Sequence, residues 1–257
     1  MWRHDCSPLY SRIDSNLRSN TDSRNRLSRD TVETIKHYDV SGSPMGKRKS
    51  SRLWLETRRK DQYYKLAKER GYRSRASFKL LETIRRYRFV KPGDRVVDIG
   101  AAPGGWLQAT RHTVGDKGFV YGFDIESMKP LPYGNVLTQV LDVTSEGAVE
   151  TIAELVGERV NVVLSDVAPN ISGVWDVDHA RQIFLAGRSL EIARRILVKG
   201  GNFFVKVFHG PELNEFKREI QKDFGKAQFI KPSASRSRSS EIYLLCTDFL
   251  GIFSNVA

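Results

Sequence analysis

The chain has 257 residues, enough to bury the core of one α/β domain, and no apolar run in it approaches the roughly 18 residues that span a membrane. It carries 42 Lys and Arg against 30 Asp and Glu, a formal net charge of +12, and two cysteines, Cys6 and Cys246. Two distant cysteines form neither a zinc site nor a disulfide framework, so we expect no metal and a reducing compartment. The first residues lack the apolar centre of a signal peptide, so we expect a cytoplasmic protein without a membrane partner.

The positive charge is concentrated in one segment. Residues 46–91 hold 17 basic and 4 acidic side chains, an excess of 13 that exceeds that of the whole chain. Because a solvated helix face normally mixes both signs, the segment predicts a nucleic-acid surface. Trp54, Tyr63, Tyr64 and Tyr72 lie among these cations and could stack on exposed bases, although one of Tyr63 and Tyr64 is expected to pack on the core instead.

Composition divides the chain into four predicted segments. Residues 1–44 are rich in Ser, Arg, Asn and Asp and predict a disordered extension. Residues 45–92 predict a basic helical, nucleic-acid-binding segment packed on a core at 93–250, and residues 251–257 are expected to form a short tail.

The predicted elements alternate in type along most of the chain. Two helices, at 53–70 and 75–87, are separated by Gly71, and Ser74 is expected to cap the second. Strands are then predicted at 95–99, 119–124, 136–141, 160–165, 202–208 and 241–247. Further helices are predicted at 106–113, 145–156, 178–198 and 212–224. This alternation predicts an α/β fold with a mostly parallel sheet and helices on both faces.

A glycine-rich turn follows the first predicted strand, in the run VDIGAAPGGW at 97–106. Glycines at a strand–helix corner let the backbone approach a nucleotide-like ligand. The spacing differs from the dinucleotide pattern G-x-G-x-x-G, and Pro103 and Trp106 crowd the place of a pyrophosphate. S-adenosyl-L-methionine (AdoMet), which has no phosphates, therefore fits better than NAD, and a nicotinamide-dependent oxidoreductase is the weaker alternative.

Polar residues end several of the predicted strands, where ligands of such sheets bind. They are Asp98, Asp124, Asp142, Asp166 and Lys206. Asp124, 20 residues beyond Gly104, could accept both ribose hydroxyls of an adenosine. Asp142 could accept from the adenine amino group or could serve only as a turn residue. Trp106 could contact the cofactor or pack in the core.

The run LSDVAPN at 164–170 indicates which atom is methylated. It lacks the Asn/Asp-Pro-Pro-aromatic pattern of amino-methylating enzymes, and Cys246 inside a strand is a poor thiolate nucleophile, so a hydroxyl oxygen remains. A hydroxyl needs a base, and Lys206 is the candidate if burial and a second cation, Lys79, lower its pKa. Asp166 and Glu241 would orient the reacting groups. A salt-bridged surface lysine and an exposed glutamate are the simpler alternatives.

Five motifs together resemble the FtsJ-type RNA 2′-O-methyltransferase family. They are RSRAxFKL at 73–80, DIGAAPGGW at 98–106, SDxAPNxSG at 165–173, VKVF at 205–208 and KPxxSRxRSxExY at 231–243. The resemblance implies a Rossmann-like AdoMet-dependent methyltransferase fold with a seven-stranded sheet. It also implies a catalytic tetrad of Lys79, Asp166, Lys206 and Glu241, with Lys206 as general base. The implied AdoMet contacts are Gly104, Trp106, Asp124, Asp142 and Asp166.

The expected activity is AdoMet-dependent 2′-O-methylation of a uridine in large-subunit, 23S-type ribosomal RNA by a monomeric enzyme. A tRNA substrate is the alternative within the family, and a non-catalytic RNA-binding module is the alternative from another class. Ser77 stands where bacterial relatives usually have Trp and could alter the fit of the substrate. The segment 233–240, with Arg236 and Arg238, is either a flexible loop or a lip that grips phosphates beside Glu241.

Overall fold

A computed structural model describes residues 62–235 and 239–251. Three predictions lie wholly or partly outside these residues: the extension at 1–44, the basic segment through residue 61, and the two lip arginines, Arg236 and Arg238.

Six helices and seven strands alternate along the described residues. The helices are α1 (Gln62–Glu69), α2 (Ala76–Tyr87), α3 (Gly105–Val114), α4 (Ala148–Val156), α5 (Trp175–Ile196) and α6 (Leu213–Ile220). The strands are β1 (Arg95–Ile99), β2 (Phe119–Asp124), β3 (Val136–Val140), β4 (Val160–Ser165), β5 (Leu197–Phe208), β6 (Phe224–Ile230) and β7 (Glu241–Phe249).

The seven strands form one sheet in the order β3-β2-β1-β4-β5-β7-β6. The first five are parallel, and β7 lies antiparallel to both β5 and β6. The strand order reverses between β1 and β4, which pair with Ile99 opposite Ser165. The crevice at the carboxyl ends of these two strands is therefore the expected ligand site of the fold.

Helices cover both faces of the sheet. Leu80 and Ile84 of α2 pack with Leu107 of α3 on one face, whereas α4, α5 and α6 bury residues such as Ile152 and Leu190 on the other. Each fully buried leucine or isoleucine contributes about 1.5–3 kcal/mol, so both faces hold the sheet firmly. The strands read as nearly continuous apolar runs because both of their faces are covered.

Most predicted elements are confirmed, but the prediction for the region after α5 was partly wrong. The helix predicted at 212–224 ends at Ile220. Phe224 begins β6, the one strand of the seven for which the sequence pattern predicted no position. Gly225 and Lys226 break the alternation there, and β6 is an edge strand that pairs on one side only. Strand β5 begins at Leu197 rather than at residue 202.

Three predicted helix starts were also wrong in detail, and one of them is that of α4, which begins at Ala148 rather than at residue 145. Helix α2 begins after Arg75 with no side-chain cap, so Ser74 does not cap it. Helix α5 begins at Trp175, one turn before the predicted start at Asp178. Within the described residues no helix is both long and apolar enough to cross a membrane.

Candidate active site

Four of the predicted site residues meet where β4 and β5 end and β7 begins. Because β7 runs antiparallel to β5, its first residue, Glu241, lies opposite Phe208 at the carboxyl end of β5, and Lys206 lies opposite Tyr243. Side chains alternate along a strand, so Lys206, Tyr243 and Glu241 share one face of the sheet. Asp166 follows β4 directly, and its backbone N–H donates to the carbonyl of Ile99.

Lys206 and Asp166 form one ion pair of this site. Lys206 Nζ lies 3.2 Å from Asp166 Oδ1 and also donates to the backbone carbonyl of Asp166. The Lys206 side chain is 5% exposed and that of Asp166 is 20% exposed. The simpler alternative, a solvated surface lysine, is therefore wrong for Lys206.

Lys79 and Glu241 form the second ion pair, between α2 and β7. The Lys79 ammonium lies 2.9 Å from Glu241 Oε2, with the lysine 9% exposed and the glutamate 30% exposed. Lys79 sits on the helix face that carries Leu80 and Ile84 into the core, so packing of α2 fixes where its ammonium lies.

Tyr243 joins the two ion pairs. Its hydroxyl donates to Asp166 Oδ1 at 2.9 Å and accepts from Lys79 Nζ at 3.4 Å. The sequence motif contained this tyrosine, but its role as a bridge was missed. Its period-two spacing from Glu241 was the signal that it faces the same site.

Burial and neighbouring charges shift two pKa values in this network. Burial raises the pKa of Tyr243 well above its usual value, and the charges of Asp166 and Glu241 raise it further, so the phenol stays a hydrogen-bond donor. Burial also raises the pKa of Glu241, but the adjacent ammonium of Lys79 and the charge of Lys206 outweigh it, so the net pKa is lowered. Glu241 is thus an anion near neutral pH.

The glycine-rich turn brings β1 and β4 into close contact. A Cβ on Gly100, whose φ is +76°, would lie 2.6 Å from the backbone nitrogen of Val167. A Cβ on Gly105 would lie 2.1 Å from the hydroxyl of Ser74, and Ser77, fully buried, donates to the carbonyl of Gly105. Ser77 therefore packs α2 against the turn, and its effect on the fit of the substrate stays a prediction.

Asp98 is the unexpected residue of this turn. It is fully buried at the end of β1, and neither carboxylate oxygen has a hydrogen-bond partner among the described residues. Burial, together with the charges of Asp166 and Asp124, raises its pKa well above the usual value. A buried carboxylate left unpaired is costly, which makes Asp98 a candidate partner for a positively charged ligand group.

Asp124 and Asp142 lie at the ends of neighbouring strands, as predicted. Each oxygen of Asp124 accepts one backbone N–H, from Ala102 at 2.8 Å and from Glu126 at 2.8 Å. Asp142 accepts from the backbone N–H and the hydroxyl of Thr144, so the turn role is present. Its contact with adenine stays a prediction, as does the ribose contact of Asp124.

Trp106 is mainly a core residue through its side chain. It is 3% exposed, its ring packs against Phe204 and Tyr243, and its indole N–H donates to the carbonyl of Ala76. The core role is therefore present, and the contact of Trp106 with the cofactor stays a prediction.

Two further side chains hold this region in place. The amide of Gln182 donates to the carbonyls of Lys206 and Val167 and so ties α5 to the end of β5 and the loop after β4. Arg73 donates to the carbonyl of Pro103 and to two carbonyls at residues 129 and 130. Neither residue was identified from the sequence.

Neither a thiolate nucleophile nor a metal site is expected from the sequence. Cys246 is buried in β7, and burial raises the pKa of its thiol. Among the described residues no group of three or more His, Cys, Asp or Glu side chains is placed to hold a metal ion.

The described part of the basic segment packs partly on the core. Tyr63 and Tyr72 contact the ring of Phe78, at centroid distances of 5.9 and 5.6 Å. Arg75 donates to the carbonyl of Ala234, and Glu82 accepts from the backbone of Ser233 and Ala234. The loop before β7 is thereby attached to α2 next to Lys79.

Comparisons with known proteins agree with this geometry. The family model described as FtsJ-like methyltransferase matches residues 72–249. The chain is 46% identical over 203 residues to the ribosomal RNA large subunit methyltransferase E of Methanococcus maripaludis strain C5, covering 79% of each chain. It is 43% identical over 207 residues to the protein of the same name from Methanothermobacter thermautotrophicus, covering 80% of this chain and 96% of that one.

A solved structure extends the likeness to the fold. A Plasmodium falciparum protein described as a ribosomal RNA methyltransferase matches with a TM-score of 0.63 and 28% identity, over 70% of this chain and all of that one. The predicted Rossmann-like methyltransferase fold is thus confirmed. Given the motifs, the joined ion pairs at the end of β5 and these matches, the chain belongs to the FtsJ-like methyltransferase family.

Proposed function

We propose that this chain is an AdoMet-dependent RNA 2′-O-methyltransferase that acts on a uridine of large-subunit ribosomal RNA. The observation that carries the proposal is the network in which Asp166 and Tyr243 join Lys206 to the Lys79–Glu241 pair. All of these side chains are buried or half-buried beside the glycine-rich turn. Preorganised charges in such a setting suit transfer to a poor nucleophile.

The crevice beside this network has the groups that AdoMet needs. Asp98 offers an unpaired buried carboxylate to the ammonium of the amino-acid moiety. Asp124 keeps acceptor capacity on both oxygens for ribose hydroxyls, because each oxygen accepts only one backbone N–H. Gly104, Asp142 and Asp166 complete the proposed contacts. When bound, AdoMet supplies an electrophilic methyl group on its sulfonium.

Lys206 is the proposed general base. In its ion pair with Asp166, Lys206 is an ammonium, so it first releases a proton to solvent. As the amine it would then take the proton of the ribose 2′-hydroxyl, so that the oxygen could accept the methyl group that bound AdoMet would supply, with S-adenosylhomocysteine as the leaving product. The proton then leaves from the ammonium of Lys206 to solvent. Asp166 accepts from Lys206 and so holds its Nζ at the end of β5.

The other members of the network orient and balance charge. Tyr243 stays protonated and donates to Asp166. This hydrogen bond fixes the carboxylate that pairs with Lys206. Glu241 is anionic and half-buried, so it can accept from the substrate hydroxyl or an adjacent sugar hydroxyl. Lys79 balances Glu241 and contributes a cation beside the reacting oxygen.

The substrate part of the proposal rests on charge and on the relatives. Residues 46–91 carry the basic excess of the chain, which suits a phosphate backbone, and a 2′-hydroxyl occurs in RNA and not in DNA. The relatives from Methanococcus and Methanothermobacter are named for large-subunit ribosomal RNA. We further propose that the enzyme works as a cytoplasmic monomer.

The experiment is to incubate the purified chain with isotopically labelled AdoMet and either unmodified large-subunit rRNA or unmodified tRNA transcripts. Labelled nucleosides are then identified and mapped. We expect one 2′-O-methyluridine in the rRNA and none in tRNA. Label on tRNA alone would reassign the substrate, label on a base would contradict O-methylation, and binding without any transfer would favour the non-catalytic module.

A further inference from the structure

An exposed aromatic surface lies next to the active site, on the side away from the glycine-rich turn. Trp175, at the start of α5, is 45% exposed, and its neighbours Ile171 and Val174 are 64% and 58% exposed. Large apolar side chains exposed together are uncommon on a protein without a ligand for them. None of the three was singled out by the sequence analysis.

This surface opens into a groove that it shares with Glu241 of the proposed tetrad. The groove has a volume of about 350 Å³, within the usual range for ligand clefts, and Trp175, Phe208 and Glu241 line it together with Ser239 and Ser240. Phe208 is the register partner of Glu241 between β5 and β7. A strand of RNA whose ribose contacts Glu241 can therefore reach Trp175 along the same groove.

The position of Trp175 is fixed by its surroundings. Its ring is roughly parallel to those of His179 and Phe208, with both centroids at 6.1 Å. The preceding loop is held by Asp178, which is 3% exposed and accepts from the backbone of Ser172 and Gly173. A preplaced ring loses little conformational freedom when a ligand stacks on it.

We propose that Trp175 is a stacking platform for a nucleobase of the RNA strand that carries the methylated ribose. This inference rests on the proposed function. Every base has a flat π face, so a tryptophan beside a ribose site favours a base over an aliphatic ligand. Ser239 and Ser240, which also line the groove, can offer hydroxyls to the sugar-phosphate backbone.

If Trp175 stacks on a base, its loss should change one kinetic constant and not the other. The stacking contact is formed in the ground state and kept in the transition state, so its loss should raise KM for RNA and leave kcat unchanged. We expect W175L, which keeps an apolar side chain without a ring, to raise KM for an unmodified large-subunit rRNA transcript roughly 5- to 100-fold. W175F, which restores a ring, should stay within about threefold of wild type.

The controls separate stacking from packing. F184L is the matched variant, because Phe184 is exposed on the same helix about two and a half turns further on, which places it on the opposite side. We expect F184L to leave KM unchanged, and all three variants to keep the melting temperature and the affinity for S-adenosylhomocysteine.

A wild-type KM for W175L would overturn the inference, and so would a W175F variant as impaired as W175L. If the wild-type protein methylates no RNA at all, the proposed function fails first. If the wild type is active and W175L is equally active, only the stacking platform fails.

Discussion

The two halves of the site differ in whether their charged side chains have partners. In the turn after β1, Asp98 is buried and both of its oxygens lack partners among the described residues. In the network between β5 and β7, each charged side chain has a partner, since Lys206 pairs with Asp166 and Lys79 with Glu241. A buried carboxylate without a partner either takes up a proton or pairs with a charged ligand group, whereas paired charges hold a geometry without a ligand. The first half is therefore suited to bind a charged ligand group, and the second to position groups for the reaction.

The largest effect on methyl transfer is expected from removing Lys206, the proposed general base in the half whose charges are paired. Lys206→Met keeps the apolar stem but no amine, so methyl transfer should fall by roughly 10²- to 10⁴-fold. Binding of S-adenosylhomocysteine should be unchanged, because that ligand belongs to the other half. Single-turnover transfer and calorimetric titration measure the two quantities.

Lys199→Met is the matched control, since Lys199 is exposed in the same strand. It should retain wild-type transfer. Near-normal transfer by Lys206→Met would remove Lys206 from its proposed role.

The next effect concerns the unpaired half. Asp98→Asn preserves the shape of the side chain but removes its charge, so affinity for S-adenosylhomocysteine should fall about 10- to 100-fold because a charged hydrogen bond is lost. The rate at saturating AdoMet should change much less. Asp116→Asn, at a residue whose side chain is 94% exposed, is the control. Equal affinity of wild type and Asp98→Asn would show that Asp98 does not meet the ligand.

A smaller effect is expected where the two ion pairs join. Tyr243→Phe removes the hydroxyl between Asp166 and Lys79 but leaves both ion pairs, so transfer should slow about 2- to 10-fold. Phe retains the ring packing against Phe204. A rate loss as large as that of Lys206→Met would mean that the phenol itself reacts, and an unchanged rate would make the bridge purely structural.

The smallest effects are two pH dependences of opposite sign. The pKa of Glu241 is lowered in the folded state, so the unfolded chain binds more protons, and the stabilisation it provides is lost as pH falls below about 4.5. The pKa of Asp98 is raised, so the folded state binds more protons and stability decreases as pH rises above 3.8.

Urea unfolding across pH 3–8 measures both dependences. Wild type should exceed Glu241→Gln in stability at neutral pH and approach it in acid. The advantage of Asp98→Asn over wild type should grow with pH and shrink when S-adenosylhomocysteine is added. The same sign for both variants would contradict the contrast between the two halves.

Sequence patterns were sufficient for the strands in the middle of the sheet. Strands β1, β2 and β4 were predicted with the bounds that the structure has, which located Asp98, Asp124 and Asp166 at or near strand ends. The motifs of the family then supplied the tetrad, which the structure brings into contact.

What the patterns missed depends on contacts distant in sequence. The indole of Trp106 finds its acceptor at Ala76, 30 residues away, and whether a tryptophan is in the core is decided by such partners. The missing hydrogen-bond partner of Asp98 among the described residues and the exposure of Trp175 are likewise set by the elements that pack around each residue. Strand β6 was missed because an edge strand needs only one apolar face, and Gly225 interrupts it.

A crystal structure with S-adenosylhomocysteine bound is the most direct test of the account. It shows whether the cofactor binds at Asp98, which has no hydrogen-bond partner among the described residues, beside the two ion pairs that are proposed to carry out methyl transfer. We predict the ligand's ammonium on Asp98, its ribose on Asp124 and its sulfur facing Lys206, with both ion pairs still intact. A ligand bound elsewhere, or one bound here with Asp98 unpaired and the sulfur turned away from Lys206, would contradict the account.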